Sequence, residues 1–180
     1  MTVWIALLRG INVGGKHIVP MKRLRELLEG AGFSDVRTYI QSGNCVFVAP
    51  SKDRGSVAAT VSGLIEGEFG FRPSTFVLSP QELQAALDAN PFPADEPKAV
   101  HLHFLDGPPK KADLDGLREI AQPGEDCALV GEVLYLYLPH GAGRSPLAQK
   151  LGQFVKADMT ARNIGSVRKI AELAADAPGA

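Results

Sequence analysis

The sequence has few of the features that mark an exported, membrane-spanning or disordered protein. Its 180 residues include only two cysteines, Cys45 and Cys127, and no Cys-x-x-Cys or Cys/His spacing, which argues against a disulfide scaffold. The apolar run Val3–Leu8 is too short for the core of a signal peptide or for a membrane span. We therefore expect two reduced thiols in a cytoplasmic protein; the alternative is one disulfide in an exported protein.

Motifs of established chemistry are also missing. There is no G-x-S-x-G, no H-E-x-x-H and no Ser/His/Asp order that would indicate a hydrolase. His101 and His103 share one face of a predicted strand, but without a third ligand we expect an exposed pair rather than a metal site. Ser145 precedes a proline and is interpreted as a helix cap. The sequence therefore implies no metal and no cofactor.

The formal net charge of −1 excludes a strong overall field toward nucleic acid or membrane, but the charge is unevenly distributed. Residues 9–25 carry five cations and no acid, and residues 144–169 carry six cations against Asp158 alone. Residues 82–132 instead carry eleven acids and four bases. If the two basic segments meet, they form a patch for phosphate or nucleic acid; otherwise they are solvated helix faces.

What the sequence does contain is an alternation of strand and helix patterns. The first half reads β-α-β-β-α-β, the ferredoxin-like order, and a capping box at Ser79-Pro80-Gln81-Glu82 then begins a connecting helix. The second half repeats β-α-β-β-α and ends in a helix that Thr160 is expected to cap. These patterns predict an α+β fold of tandem ferredoxin-like (β-α-β-β-α-β) units, residues 1–90 and 91–180, closely packed, with a C-terminal helix.

The Gly-rich basic loop Arg9–Lys16 follows a buried strand and is the leading candidate site. Its three glycines can expose backbone N–H groups, and its two cations favour an anion. The loop matches most of a phosphate-binding P-loop, but His17 replaces the Ser/Thr that would hold magnesium, and Pro20 delays the helix. The alternative is a glycine-rich connector with solvated charges.

Two further segments contribute polar groups. With Thr160 as the cap, Arg162 and Asn163 fall in the first helical turn, where a cation opposes the helix dipole. Arg162 is thus expected to have another partner, either a bound anion or an acidic side chain. Ser42-Gly43-Asn44 is interpreted first as hairpin turn chemistry joining strands near Tyr39 and Cys45.

Together these segments resemble a known family. The residues Leu7–Lys16, Val19-Pro20-Met21 with Leu24, Thr38–Asn44, and Thr160–Asn163 with Val167 look like the bacterial domain of unknown function 1697 family across essentially the whole chain. The family usually has Asn where this chain has His17, and Trp where it has Ile164. The resemblance implies a cytoplasmic α+β protein without established activity, and one shared pocket built from Arg9, Asn12, Gly14, Gly15, Lys16, Ser42, Asn44, Arg162 and Asn163.

Three functions stay open at this point. The first is a binding module for a phosphate-bearing ligand, a nucleotide or an RNA segment. The second is an enzyme on a small anionic substrate, although no general base or activated nucleophile is visible. The third is a protein-interaction module in which the same residues are structural. We expect no membrane partner, and the oligomeric state is left open.

Overall fold

The computed structural model describes residues 1–178 and shows a mixed α+β protein with antiparallel sheets. The chain divides into two compact units, one formed by residues 1–84 with the chain from 169 onward, the other by residues 85–168. Within residues 1–178, none of the helices has the length and apolar character needed to cross a membrane.

The first unit follows the predicted order of elements. These are β1 (Thr2–Leu8), α1 (Met21–Gly30), β2 (Ser34–Tyr39), β3 (Asn44–Ala49), α2 (Arg54–Phe69) and β4 (Thr75–Leu78). The strands form one antiparallel sheet in the order β2-β3-β1-β4. One face of the central strands, which includes Trp4, Ala6 and Phe47, packs with the buried stripes of α1 and α2 in a single hydrophobic core.

Side-chain caps begin the next helices, as the sequence predicts. The Ser79 hydroxyl accepts a hydrogen bond from the Glu82 N–H at 3.2 Å, and the Glu82 carboxylate accepts one from the Ser79 N–H at 2.8 Å. This capping box begins α3 (Pro80–Asp88). The N-terminus of α1 differs: Pro20 is the residue before the helix rather than its first residue, and it has no side-chain hydrogen bond to offer.

The second unit has a larger sheet and a two-stranded one. Its elements are β5 (Val100–Leu105), β6 (Lys111–Ala112), α4 (Leu114–Glu119), β7 (Asp126–Val130), β8 (Val133–Tyr137), a 3₁₀ turn (Ala142–Arg144), α5 (Pro146–Phe154), β9 (Val155–Lys156) and β10 (Met159–Asn163). The larger sheet has the order β10-β5-β8-β7, and β6 pairs with β9. Residues of β8 such as Leu134 and Leu136 pack against α4 and α5 in its core.

The expected helix cap at Thr160 is wrong. Thr160 lies within strand β10 and pairs with Phe104 of β5, so Arg162 and Asn163 are strand residues rather than first-turn residues. The last helix, α6 (Ile164–Ala175), begins after them, and the Asn163 side-chain oxygen accepts a hydrogen bond from the Ser166 N–H at 2.8 Å. Thr and Asn both cap helices well. Because Thr160 is held in the sheet by its pairing with β5, Asn163 is the residue that caps α6.

Both cysteines are buried, and neither forms a disulfide in the part of the chain that the structure describes. Cys45 lies in β3 and Cys127 in β7, so each thiol is part of the core of its own sheet. Burial raises the pKa of the Cys127 thiol above its ordinary value, which disfavours the reactive thiolate. These cysteines therefore act as small apolar core residues.

Candidate functional site

The glycine loop is a small β-hairpin. The Lys16 N–H donates to the Val13 carbonyl at 3.1 Å, and the Asn12 N–H donates to the His17 carbonyl at 3.1 Å. Gly14 and Gly15 have φ of 59° and 71°, the left-handed pair required by a type I′ turn. The loop therefore is not a P-loop leading directly into a helix.

Asn12 holds this hairpin in place. Its side-chain nitrogen donates to the carbonyls of Val19 at 3.0 Å and Gln41 at 2.8 Å, and its side-chain oxygen accepts from the Val19 N–H at 2.8 Å. Asn12 itself has a φ of 54°, a left-handed conformation that Asn tolerates better than most residues. These contacts give Asn12 a structural role: it joins the hairpin to the turn that follows β2.

That turn brings Ser42–Asn44 against the same part of the first unit. The Gly43 carbonyl accepts a hydrogen bond from the Leu8 N–H at 2.8 Å, immediately before the glycine loop. Asn44 is only 1% exposed, and its side-chain nitrogen donates to the Tyr39 carbonyl at 3.1 Å, whereas Ser42 is exposed. The structure thus brings together two of the three predicted segments, the loop and the hairpin turn.

Two of the predicted cations are already engaged within the protein. Arg23 of α1 forms ion pairs with Glu68 at 2.7 Å and Glu26 at 3.2 Å, and its hydrogen bond to Glu68 lowers the pKa of that carboxyl. Arg25 donates to the Thr38 hydroxyl at 2.6 Å. These arginines brace α1 and are poor candidates for ligand binding.

The two lysines of the same segment differ from the arginines. Lys16 and Lys22 are exposed, and throughout residues 1–178 neither ammonium group makes a hydrogen bond or ion pair. Lys16 closes the hairpin turn, and Lys22 lies in the first turn of α1. Arg9, at the start of the glycine loop, is also exposed, and its backbone N–H donates to the Ser74 carbonyl at 3.0 Å. Lys16 and Lys22 therefore carry positive charge that is available to a ligand.

Three exposed aliphatic residues lie beside the residues that the hydrogen bonds of Asn12 join. Val13, Ile18 and Ile40 are 67%, 55% and 51% exposed, and each is next in sequence to a residue that those bonds join. We call these three side chains the aliphatic patch. Sequence reasoning overlooked it, although apolar residues beside a glycine turn and in the turn after Tyr39 were a visible signal.

Arg162 and Asn163 lie in the second unit. A guanidinium nitrogen of Arg162 donates to the Thr160 hydroxyl at 2.9 Å and to the Ala161 carbonyl at 2.8 Å. Asn163 caps α6, as described above. Their membership of one pocket with the residues of the first unit stays a prediction.

The expected exposed histidine pair is wrong. His101 and His103 are half-buried, because they share the face of the sheet that carries Leu134 and Leu136. Burial lowers the pKa of both, that of His103 to about 4, and a ring nitrogen of His101 hydrogen-bonds the Lys98 carbonyl at 3.0 Å. Among residues 1–178, no three His, Cys, Asp or Glu side chains are arranged to hold a metal.

The family model described as "Protein of unknown function (DUF1697)" matches residues 1–135. The chain belongs to this family. A solved structure with a similar fold is the conserved bacterial protein SP0830 from Streptococcus pneumoniae, with a TM-score of 0.68 and 22% identity over 96% of this chain and 98% of that one. No curated protein sequence matches the chain significantly. The predicted family is thus confirmed, and membership in it assigns no activity.

Proposed function

We propose that the protein binds a phosphate-bearing ligand, a nucleotide or an RNA segment, through the hairpin Arg9–Lys16. The observation that carries this proposal is the unpaired, exposed Lys16 ammonium beside Gly14 and Gly15. A Cβ built on either glycine would meet nothing within 4 Å, so a ligand can approach the backbone of the turn closely. Backbone N–H groups beside a lysine are a recurring arrangement for phosphate.

The N-terminus of α1 supports the same proposal. Its first turn contains no acidic residue, and Pro20 supplies no side-chain cap. The N–H groups of this turn thus lack the side-chain acceptor that caps most helices, and Lys22 adds a cation. Because Asn12 binds the backbone of Val19, the helix begins close to the base of the hairpin. Within the first unit, the proposed site extends by family resemblance to Arg9, Asn12, Ser42 and Asn44. For Arg162 and Asn163 of the second unit, a place in the same site stays a prediction from the resemblance.

Fluorescence anisotropy with labelled RNA oligomers and with nucleotides tests this function. We expect saturable binding at low salt that weakens as salt rises, because phosphate contacts release counterions. Lys16→Ala and Lys22→Ala should each weaken binding and each reduce the salt slope by about 0.7 for a single-stranded ligand. Lys150→Ala, an exposed lysine of α5 in the second unit, is the matched control and should bind as the wild type does.

Absence of saturable, salt-sensitive binding by the wild type would refute this function. Unchanged binding after both Lys16→Ala and Lys22→Ala would show that the ligand binds elsewhere than at the hairpin. Arg9→Ala is a further test of the loop, with the circular dichroism spectrum and melting temperature of each variant used to confirm folding.

The aliphatic patch favours a second candidate, a protein-interaction module in which the polar residues are structural. Three aliphatic side chains exposed in one region are unusual for a surface that contacts only water, and Asn12 is engaged with backbone groups. Val13→Asp should then abolish capture of a partner protein while leaving RNA anisotropy unchanged. If RNA binding falls instead, the patch belongs to the ligand site.

We also propose that both units are ferredoxin-like and that the protein is cytoplasmic. The sheet orders β2-β3-β1-β4 and β10-β5-β8-β7 support the first proposal, since corresponding elements of each unit take corresponding places. The two buried cysteines, which form no disulfide within residues 1–178, support the second.

A further inference from the structure

A cavity of about 300 Å³ lies in the second unit, far along the sequence from the hairpin. One wall is the segment before β5, and the other is the end of β8 with the residues after it. Its lining includes Glu96, Lys98, Ala99, Tyr137, Leu138 and Pro139. This volume is at the lower end of small-molecule sites, and so it suits a ligand smaller than a nucleotide.

Backbone hydrogen bonds join the two walls of this cavity and order the wall before β5. The Leu138 N–H donates to the Ala99 carbonyl at 2.7 Å, and the Ala99 N–H donates to the Glu96 carbonyl at 2.9 Å. The ring of His101 also hydrogen-bonds the Lys98 carbonyl at 3.0 Å. A ligand would therefore enter a site whose backbone is already ordered, which lowers the entropic cost of binding.

An aromatic side chain forms part of the wall and is itself braced. The Tyr137 ring stacks on Phe92 with centroids 5.7 Å apart and planes inclined by 19°. Asn90 fixes Phe92 in turn: its side chain donates to the Phe92 carbonyl at 2.8 Å and accepts from the Phe92 N–H at 3.3 Å. Together with the exposed Pro139, the half-buried tyrosine offers an apolar surface for a small hydrocarbon group.

Two opposite charges complete the lining. Glu96 and Lys98 are exposed, and within residues 1–178 neither side chain makes a hydrogen bond or an ion pair. A simple anion would meet the like charge of Glu96, and a simple cation would meet the like charge of Lys98. A molecule that carries both charges avoids each conflict and can use both groups.

We propose that this cavity binds a small zwitterion, a free α-amino acid. Its carboxylate faces Lys98, its ammonium group faces Glu96, and its side chain lies against Tyr137 and its apolar neighbours. The site is separate from the hairpin of the first unit and does not depend on the function proposed there.

Isothermal titration calorimetry of the full chain tests this proposal with the twenty amino acids and two matched analogues of each binder. N-acetylation removes the ammonium charge, and amidation removes the carboxylate. We expect saturable binding of at least one amino acid, and each modification should weaken it about tenfold, which corresponds to about 1.4 kcal/mol. Lys98→Gln should remove the preference for the acid over the amide, and Glu96→Gln the preference for the amine over the N-acetyl form.

Lys150→Gln, another exposed lysine of the second unit, is the control and should retain both preferences. The proposal is overturned if none of the amino acids binds saturably at concentrations up to about 10 mM, which corresponds to very weak affinity. It is also overturned if binding occurs but neither the Lys98 nor the Glu96 variant alters the preferences. Neither result bears on RNA or nucleotide binding, which is measured on the Lys16 and Lys22 variants.

Discussion

Replacing Gly43 with alanine tests how tightly the turn after β2 packs on the candidate site. Gly43 has a φ of +74°, and a Cβ placed on it would lie 2.7 Å from the Cβ of Leu8 and 2.8 Å from the Cδ1 of Ile11. These neighbours are fully buried, and the Leu8 N–H donates to the Gly43 carbonyl at 2.8 Å, so the two segments cannot simply separate. The alanine therefore adds a steric clash to an unfavourable backbone conformation.

The magnitude follows from those two contributions. A left-handed conformation costs an alanine about 1–2 kcal/mol relative to glycine, and overpacking a closed core costs about 1–3 kcal/mol. We expect Gly43→Ala to lower the free energy of unfolding by about 2–5 kcal/mol. Urea denaturation followed by circular dichroism measures this difference directly.

Gly70 provides the matched control in the same unit. Its φ of +76° is nearly identical, but a Cβ there would meet nothing within 4 Å. Gly70→Ala should therefore cost only the conformational part, about 1–2 kcal/mol. If Gly43→Ala destabilises the protein no more than Gly70→Ala does, this turn does not pack closely on Leu8 and Ile11.

Three further changes test the region and the second unit. Asn12→Ala should lower the free energy of unfolding by about 2–3 kcal/mol in urea, because it removes the bonds to the backbone of Val19 and Gln41; an unchanged midpoint would contradict the structural role of Asn12. Ile40→Asn should raise the melting temperature, since a β-branched residue with a φ of 50° is strained and Asn tolerates this region; a lower melting temperature would show that Ile40 stabilises the turn. Burial lowers the pKa of His103 from an ordinary 6.5 to about 4. As the pH drops from 6.5 to 4, the imidazole is therefore protonated in the unfolded chain before it is protonated in the folded one. The free energy of unfolding should fall by about 3 kcal/mol over this range. His103→Gln should remove most of this pH dependence in urea titrations, and a retained slope would assign it to other groups.

Local patterns predict most of the elements of this fold. The Ser79–Glu82 capping box and the helix that Ser145 caps were both visible, because each depends on residues close in sequence. The local pattern did not predict strand β10, since Thr160–Asn163 is polar and carries two good capping residues. Its strand conformation comes from pairing with β5, whose residues lie far away in the chain.

The features of the candidate site likewise fall into those that local sequence determines and those that depend on tertiary structure. The sequence by itself determined that residues 9–16 form a Gly-rich loop, that cations cluster in residues 9–25, and which family the chain belongs to. Only the tertiary structure decided which of those cations a ligand can reach. Arg23 and Arg25 are engaged by partners on other elements, while Lys16 and Lys22 are not. The same structure showed that the side chain of Asn12 binds backbone groups of Val19 and Gln41. The sequence could not predict this, because loops and charge runs are local properties of the chain. The partner of a polar side chain depends instead on which distant segments the packed core brings beside it.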